Sequence, residues 1–199
     1  MAANEALFVL VPEYADWEPS LLSAALRRGF GMWEPRFRPR VVAPGMEPVP
    51  SIGGFRTQPD YSFDSAPDDF AALILIGGTN WFGDEAKRVL PLVRKAVQKG
   101  AVLGGICAAA AFLGSNGFLN DVEHTGNCLE EMTSPAGSLY TGKDKYRADS
   151  QSVRDGKTVT ANGAGFIEFT RNVLAALDAV PADTLARFYT ICKTGFFSA

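Results

Sequence analysis

The most reactive feature of this sequence is a cysteine at a junction between strand and helix. In GGICAAA, the buried apolar run AVLGGI (101–106) reaches Cys107, and the small residues Ala108 to Ala111 begin a helix. That is the pattern of a nucleophile elbow, a sharp turn that holds one side chain in strained backbone geometry between neighbours small enough to pack closely. Free amides and the positive end of the helix dipole favour a thiolate there, so Cys107 is expected to ionise more easily than a free cysteine. A thiolate is both a nucleophile and a target of oxidation. The amide of Ala108, with amides of the Gly77-Gly78-Thr79 loop, can form an oxyanion hole, Gly78 being the expected second donor. The competing reading makes Cys107 a small buried hydrophobe and the glycines packing devices.

Other chemistry-bearing residues are sparse. His124 is the only histidine, so imidazole chemistry comes from it or from a second subunit; the alternative is a loop histidine bonded to backbone. Cys128 and Cys192 lack the elbow's surroundings and read as structural. Three cysteines in no paired spacing suit a reducing cytoplasm and make neither a disulfide framework nor a zinc site. No nucleotide fingerprint is present, and no cofactor or metal is expected. A net charge of −3 over 199 residues disfavours nucleic acid and membrane surfaces as partners and leaves small molecules. The first apolar run, Leu7 to Val11, is too short for a signal peptide or a membrane span.

The elements that must position these residues form a βα rhythm. ALFVLV (6–11), FAALILIGG (70–78) and AVLGGI (101–106) read as buried parallel strands. A helix capped by Asp16 or Ser20 carries Leu21, Leu22, Ala25 and Leu26 and ends near Gly29. Residues 31–67 hold most of the twelve prolines and predict short strands, turns and an edge hairpin rather than helices. From Asp84 to Gly100, Ala86, Val89, Leu90, Val93 and Val97 predict an amphipathic crossover helix. Residues 120–160 are turn-rich, with a hairpin at Asp155-Gly156, and helices follow over about 166–178 and 182–192. The fold class is therefore α/β, a single domain with a mostly parallel sheet, helices on both faces and the elbow at a strand's carboxyl end.

Together, GGICAAAAFL, the preceding FAALILIGGTNWF, the following VEHTGN, the first loop PEYADWE and the segment TANGAGFIEF resemble the ThiJ/PfpI superfamily over nearly the full chain. That resemblance implies a flavodoxin-like sandwich related to class I glutamine amidotransferases. It implies that Glu18 of PEYADWE sits beside the sulfur, where it donates a hydrogen bond when protonated and acts as a base when ionised. Two like charges so close are costly, so Glu18 and Cys107 are expected to share a proton and titrate together. Without the resemblance, Glu18 reads more readily as a solvated carboxylate near a helix start, with Asp16 and Glu13 as competitors. The resemblance also places His124 near the cysteine and lets Asn127 orient the histidine or the substrate. Thr79, Trp81, Phe82 and Trp17 are candidates for the pocket wall, though aromatics more often fill cores; Tyr140 and Tyr146 can also reach the site.

Two departures narrow the expected function. Ala108 stands where the superfamily's peptidases have histidine, and Asn162-Gly163-Ala164-Gly165-Phe166 stands where glutamine amidotransferases carry a His-x-Glu pair; peptidase and glutaminase activities are not expected. What remains is a cysteine enzyme acting on a small electrophile, by amide or imide hydrolysis or by hydration or deglycation of a reactive carbonyl. A redox sensor oxidised at the same cysteine, or an inactive relative, are the alternatives. The resemblance further implies a homodimer, with which the Phe-rich tail Phe196-Phe197 is compatible.

Overall fold

The computed structural model describes residues 4–135 and 137–196; Phe197 lies outside them. The strands are β1 (Glu5–Val9), β2 (Arg38–Ala43), β3 (Val49–Pro50), β4 (Arg56–Thr57), β5 (Tyr61–Ser62), β6 (Ala72–Leu75), β7 (Val102–Ile106), β8 (Ser152–Asp155) and β9 (Thr158–Ala161). The helices are α1 (Trp17–Arg28), α2 (Asp84–Lys87), α3 (Leu90–Lys99), α4 (Ala108–Ser115), α5 (Glu130–Thr133), α6 (Phe166–Ala176) and α7 (Ala182–Thr194), with short 3-10 turns at Gly29–Gly31 and Lys143–Lys145. Seven strands form one sheet in the order β5-β2-β1-β6-β7-β9-β8. Every neighbouring pair is parallel except the β8–β9 hairpin at one edge.

The continuous apolar runs follow from burial on both faces of this sheet. Alternate residues of β1 part company: Ala6 and Phe8 pack with Leu22 and Leu26 of α1, Phe169 of α6 and Phe188 of α7. Leu7 and Val9 pack with Val93 of α3 and Phe112 of α4 on the opposite face. The mostly parallel sandwich with helices on both faces is as the sequence predicts.

Local departures have local causes. The crossover helix is two pieces, α2 and α3, because Pro91 has no N–H for a continuous helix and instead occupies the first turn of α3. The break shifts the buried stripe, so that Leu92, Val93 and Ala96 are covered and Val97 is exposed. Residues 31–67 are short-stranded, but their hairpin, β3–β4, is a separate two-stranded unit, and the sheet edge it was expected to form belongs to β5. Gly29 closes α1 at φ 59°, its N–H on the Ala25 carbonyl, as expected of a left-handed cap. Asp16 does not cap α1 with its side chain; its Oδ2 accepts from the Gly53 N–H at 2.8 Å, tying the hairpin loop to the helix start.

Phe169 of α6 is fully buried, and its ring tip lies 3.0 Å from where a Cβ on Gly104 would stand. Glycine in β7 thus lets the aromatic ring reach the sheet. Phe169→Ala is expected to lower the unfolding free energy by about 3–5 kcal/mol in urea denaturation; a loss within experimental error would contradict this packing account.

Candidate active site

Four adjacent strands, β1, β6, β7 and β9, point their carboxyl ends at one place, the edge at which open parallel sheets bind ligands. Cys107 follows β7 with φ 58° and ψ −132°, a conformation that costs on the order of 1–3 kcal/mol and persists only where its surroundings enforce it. Its N–H donates to the Ala161 carbonyl at 2.9 Å, and its own carbonyl accepts from the Ala110 N–H at 3.0 Å, so the turn is clamped from β9 and from α4. Gly77, at the end of β6, allows the close approach: a Cβ there would lie 2.5 Å from that of Cys107 and 2.7 Å from Glu18 Oε2.

Glu18 stands in the first turn of α1 and is completely buried. The Gly77 N–H donates to its Oε2 at 2.7 Å, while Oε1 has no hydrogen-bond partner and the carboxyl stands within interaction range of the Cys107 thiol. Burial raises the Glu18 carboxyl to about 7, against the Gly77 and Cys107 hydrogen bonds. Burial also pushes the Cys107 thiol up, as does a charged Glu18, while the Asn127 side chain and the Ala108 N–H pull it down. The expected ease of ionisation at the helix start therefore meets two opposing effects that the turn pattern does not reveal. The geometry supports one negative charge across the pair. Of the competitors, Asp16 is engaged with the hairpin and Glu13 is exposed.

Asn127 Nδ2 donates to Cys107 Sγ at 3.3 Å and to Glu131 Oε2 at 3.2 Å. Its Oδ1 accepts from the Gly163 N–H at 3.0 Å, and the Gly163 carbonyl accepts from Trp17 Nε1 at 2.9 Å. Asn127 thus orients the sulfur rather than the histidine. The loop amides are divided: the Gly77 N–H serves Glu18, the Thr79 N–H donates to the Glu13 carbonyl, and Gly78 makes no such backbone donation. With the Ala108 N–H directed at the sulfur, Gly78 and Ala108 remain the pair available for an oxyanion.

His124 is elsewhere engaged. Its ring lies 2.7 Å from the Val122 carbonyl through Nδ1 and 2.7 Å from the Tyr140 hydroxyl through Nε2. A carbonyl only accepts, so Nδ1 carries the proton and, in the neutral ring, Nε2 accepts from Tyr140. Burial lowers its pKa and favours that neutral form. The structure makes no hydrogen bond between His124 and Cys107, and the ring matches the alternative of a histidine bonded to backbone. Trp81 is wholly buried, donating to the Ile76 carbonyl at 2.7 Å, while Thr79 and Phe82 are exposed.

Sequence reasoning missed Glu131 and Gly163 as neighbours of this centre. A Cβ on Gly163 would come within 3.1 Å of Sγ and 3.4 Å of Glu18 Oε1. The spacing of Asn127 and Glu131, four apart, was a signal for their contact; nothing local marked Gly163.

An α/β sheet with a strained cysteine after a central strand and a buried glutamate beneath it defines the class. The model of the DJ-1/PfpI family matches residues 4–176, and the chain belongs to that family. It is 35% identical to "Uncharacterized protease YdeA" of Bacillus subtilis (strain 168), over 98% of this chain and 93% of that protein. The DJ-1 superfamily protein Atu0886 from Agrobacterium tumefaciens matches with TM-score 0.84 and 34% identity, over 96% of this chain and 98% of that one. The thiJ/pfpI family protein from Bacillus anthracis matches with TM-score 0.88 and 29% identity, over 98% and 93%.

Glu18 gives a pH signature. The folded carboxyl keeps its proton to about 7, whereas an unfolded one releases it at the ordinary 4.5. Across that window the unfolded state binds fewer protons, so this group's contribution to stability falls as pH rises. Glu18→Gln is expected to remove that fall, visible as a flatter Tm between about pH 5 and about pH 7; superimposable profiles would contradict it. Asn127→Ala removes a donor to the thiolate and should raise the midpoint of Cys107 alkylation, and an unmoved midpoint would show that the contact does not tune the sulfur.

Proposed function

We propose that this protein is a cysteine-dependent enzyme that attacks a small electrophilic carbon with Cys107. The observation that carries the reading is the fully buried Glu18 carboxyl, which leaves Oε1 without a hydrogen-bond partner and stands against the elbow cysteine. A buried carboxyl without other function would be a liability, because desolvation opposes its charge. Beside a thiol it is a proton acceptor in the approach to reaction and a proton donor afterwards.

In the proposed step the thiol proton passes to Glu18 Oε1 as Sγ bonds to the substrate carbon. The carbonyl π pair moves to oxygen, where the Gly78 and Ala108 amides receive the charge. For an amide or imide, Glu18 returns the proton to the departing nitrogen and water later cleaves the thioester. For a dicarbonyl, Glu18 carries the hydrogen of the hemithioacetal carbon as a proton to the adjacent carbonyl carbon, so that the first carbon is oxidised to a thioester as the second is reduced to an alcohol, and water then cleaves the thioester to a 2-hydroxy acid and the free thiol. His124 has no part in either scheme, since its nitrogens face Val122 and Tyr140. The word protease in the relatives' names does not transfer easily: the chain's only histidine makes no dyad with the thiol, which favours substrates more electrophilic than a peptide.

A redox role for the same sulfur is the second reading, favoured by the Asn127 donor at 3.3 Å and the adjacent Glu18, which suit an oxidised, oxygen-bearing sulfur. We further propose a homodimer in a reducing cytoplasm, serving a small molecule rather than nucleic acid. Its support is the net charge of −3 and the exposed Phe196. No described helix is long and apolar enough to cross a membrane.

A panel of small activated amides, imides and dicarbonyls tests the enzyme reading. Cys107→Ala is expected to abolish turnover, and Glu18→Gln to lower it by about 10²–10⁴. Stoichiometric oxidation by peroxide with no turnover of any panel member would instead favour the sensor.

A further inference from the structure

A cavity of about 690 Å³ lies between α4, α5 and the loop after β6, within the size range of small-molecule sites. Cys107 does not line it. The connection is Asn127 Nδ2, 3.3 Å from Sγ and 3.2 Å from Glu131 Oε2, Glu131 being a wall of the cavity. A molecule that reaches the sulfur past Asn127 therefore has its remainder beside Glu131.

The cavity's wall includes Trp81 and Phe112, which are buried against each other, and the exposed Phe82. Its polar groups are unequally engaged. The hydroxyls of Ser115, Ser134 and Ser138 and the Asn116 amide all donate to backbone carbonyls, at 3.1, 2.6, 2.7 and 2.8 Å. The single cation, Lys87, is paired with Asp84 at 3.0 Å. Glu130 makes no ion pair among the described residues, and Glu131 meets only the neutral amide of Asn127. The serine hydroxyls are thus satisfied within the chain, while two carboxylates keep accepting capacity towards the space.

We propose that this cavity is the recognition subsite of the reaction and that it selects substrates bearing a protonated amine on a flat apolar group. The inference rests on the reading of Cys107 as nucleophile and supplies its substrate class. The exposed Phe82 ring takes the flat group and favours a nearby cation through its π face, and Glu131 takes the ammonium in a charge-assisted hydrogen bond. An anionic substrate would meet Glu130 and Glu131, with Lys87, paired to Asp84, as the one cation of the lining.

The test is an NMR titration with benzylamine, benzyl alcohol and benzoate, performed on Cys107→Ala protein so that binding is read without chemistry. Benzylamine is expected to bind about tenfold more tightly than benzyl alcohol, the scale of one charge-assisted hydrogen bond, with benzoate weaker still. Glu131→Gln should erase the preference, and Ser134→Trp, which fills the cavity, should weaken all three ligands. Benzylamine should also slow alkylation of Cys107 in the parent protein. Equal affinity of the three ligands, a preference unchanged by Glu131→Gln, or shifts confined to residues outside the cavity would overturn the proposal. Binding with the expected preference but no turnover of any amine-bearing electrophile would instead count against the enzyme reading alone.

Discussion

One buried carboxyl set against one strained cysteine governs this molecule. Glu18 has no exposure to water and a single backbone donor, so its charged form is disfavoured and it holds its proton to about 7. The sulfur has the Asn127 amide and the Ala108 N–H directed at it, yet burial and the neighbouring carboxylate hold its thiol above the ordinary value. The two groups therefore act as one acid with two sites, and the reactivity of Cys107 is a property of the pair.

The fold exists at this point to hold that pair together. Glu18 arrives from the helix after β1, its backbone donor from the end of β6, Cys107 from the end of β7 and Gly163 from the loop after β9. These four strands are consecutive in the sheet, so register between parallel strands fixes the distances among groups remote in sequence. Asn127 then locks the outer side, bonded to Gly163 and to Glu131 as well as to sulfur. Strain at Cys107 is maintained by bonds to β9 and α4, which makes the site a product of tertiary packing.

Legibility in the sequence followed the range of the interactions. The buried strands, the Gly29 cap, the closing helices and the elbow depend on neighbours a few residues apart, and their composition declared them. The split at Pro91 was equally local, and the proline's missing N–H overrode a helical stripe that ran through it. Glu18 was legible through the family likeness, because a carboxylate near a helix start looks the same whether solvated or buried. His124 shows the opposite: its proximity in the family pattern suggested proton transfer, yet the bonds to Val122 and Tyr140 arise from a loop whose path no local pattern states. Gly163 and Glu131 escaped because their importance lies in contacts across the sheet edge and across the loop before α5.

Whether Cys107 and Glu18 titrate together is measured directly by the rate of Cys107 alkylation by iodoacetamide as a function of pH. The parent protein should show two steps, the first near the value of about 7 to which Glu18 is raised and the second above the ordinary thiol value of 9.0. Glu18→Gln should reduce them to one. A single step at the same pH in both proteins would mean that the carboxyl and the thiol ionise independently, and the shared-proton site would have to be abandoned.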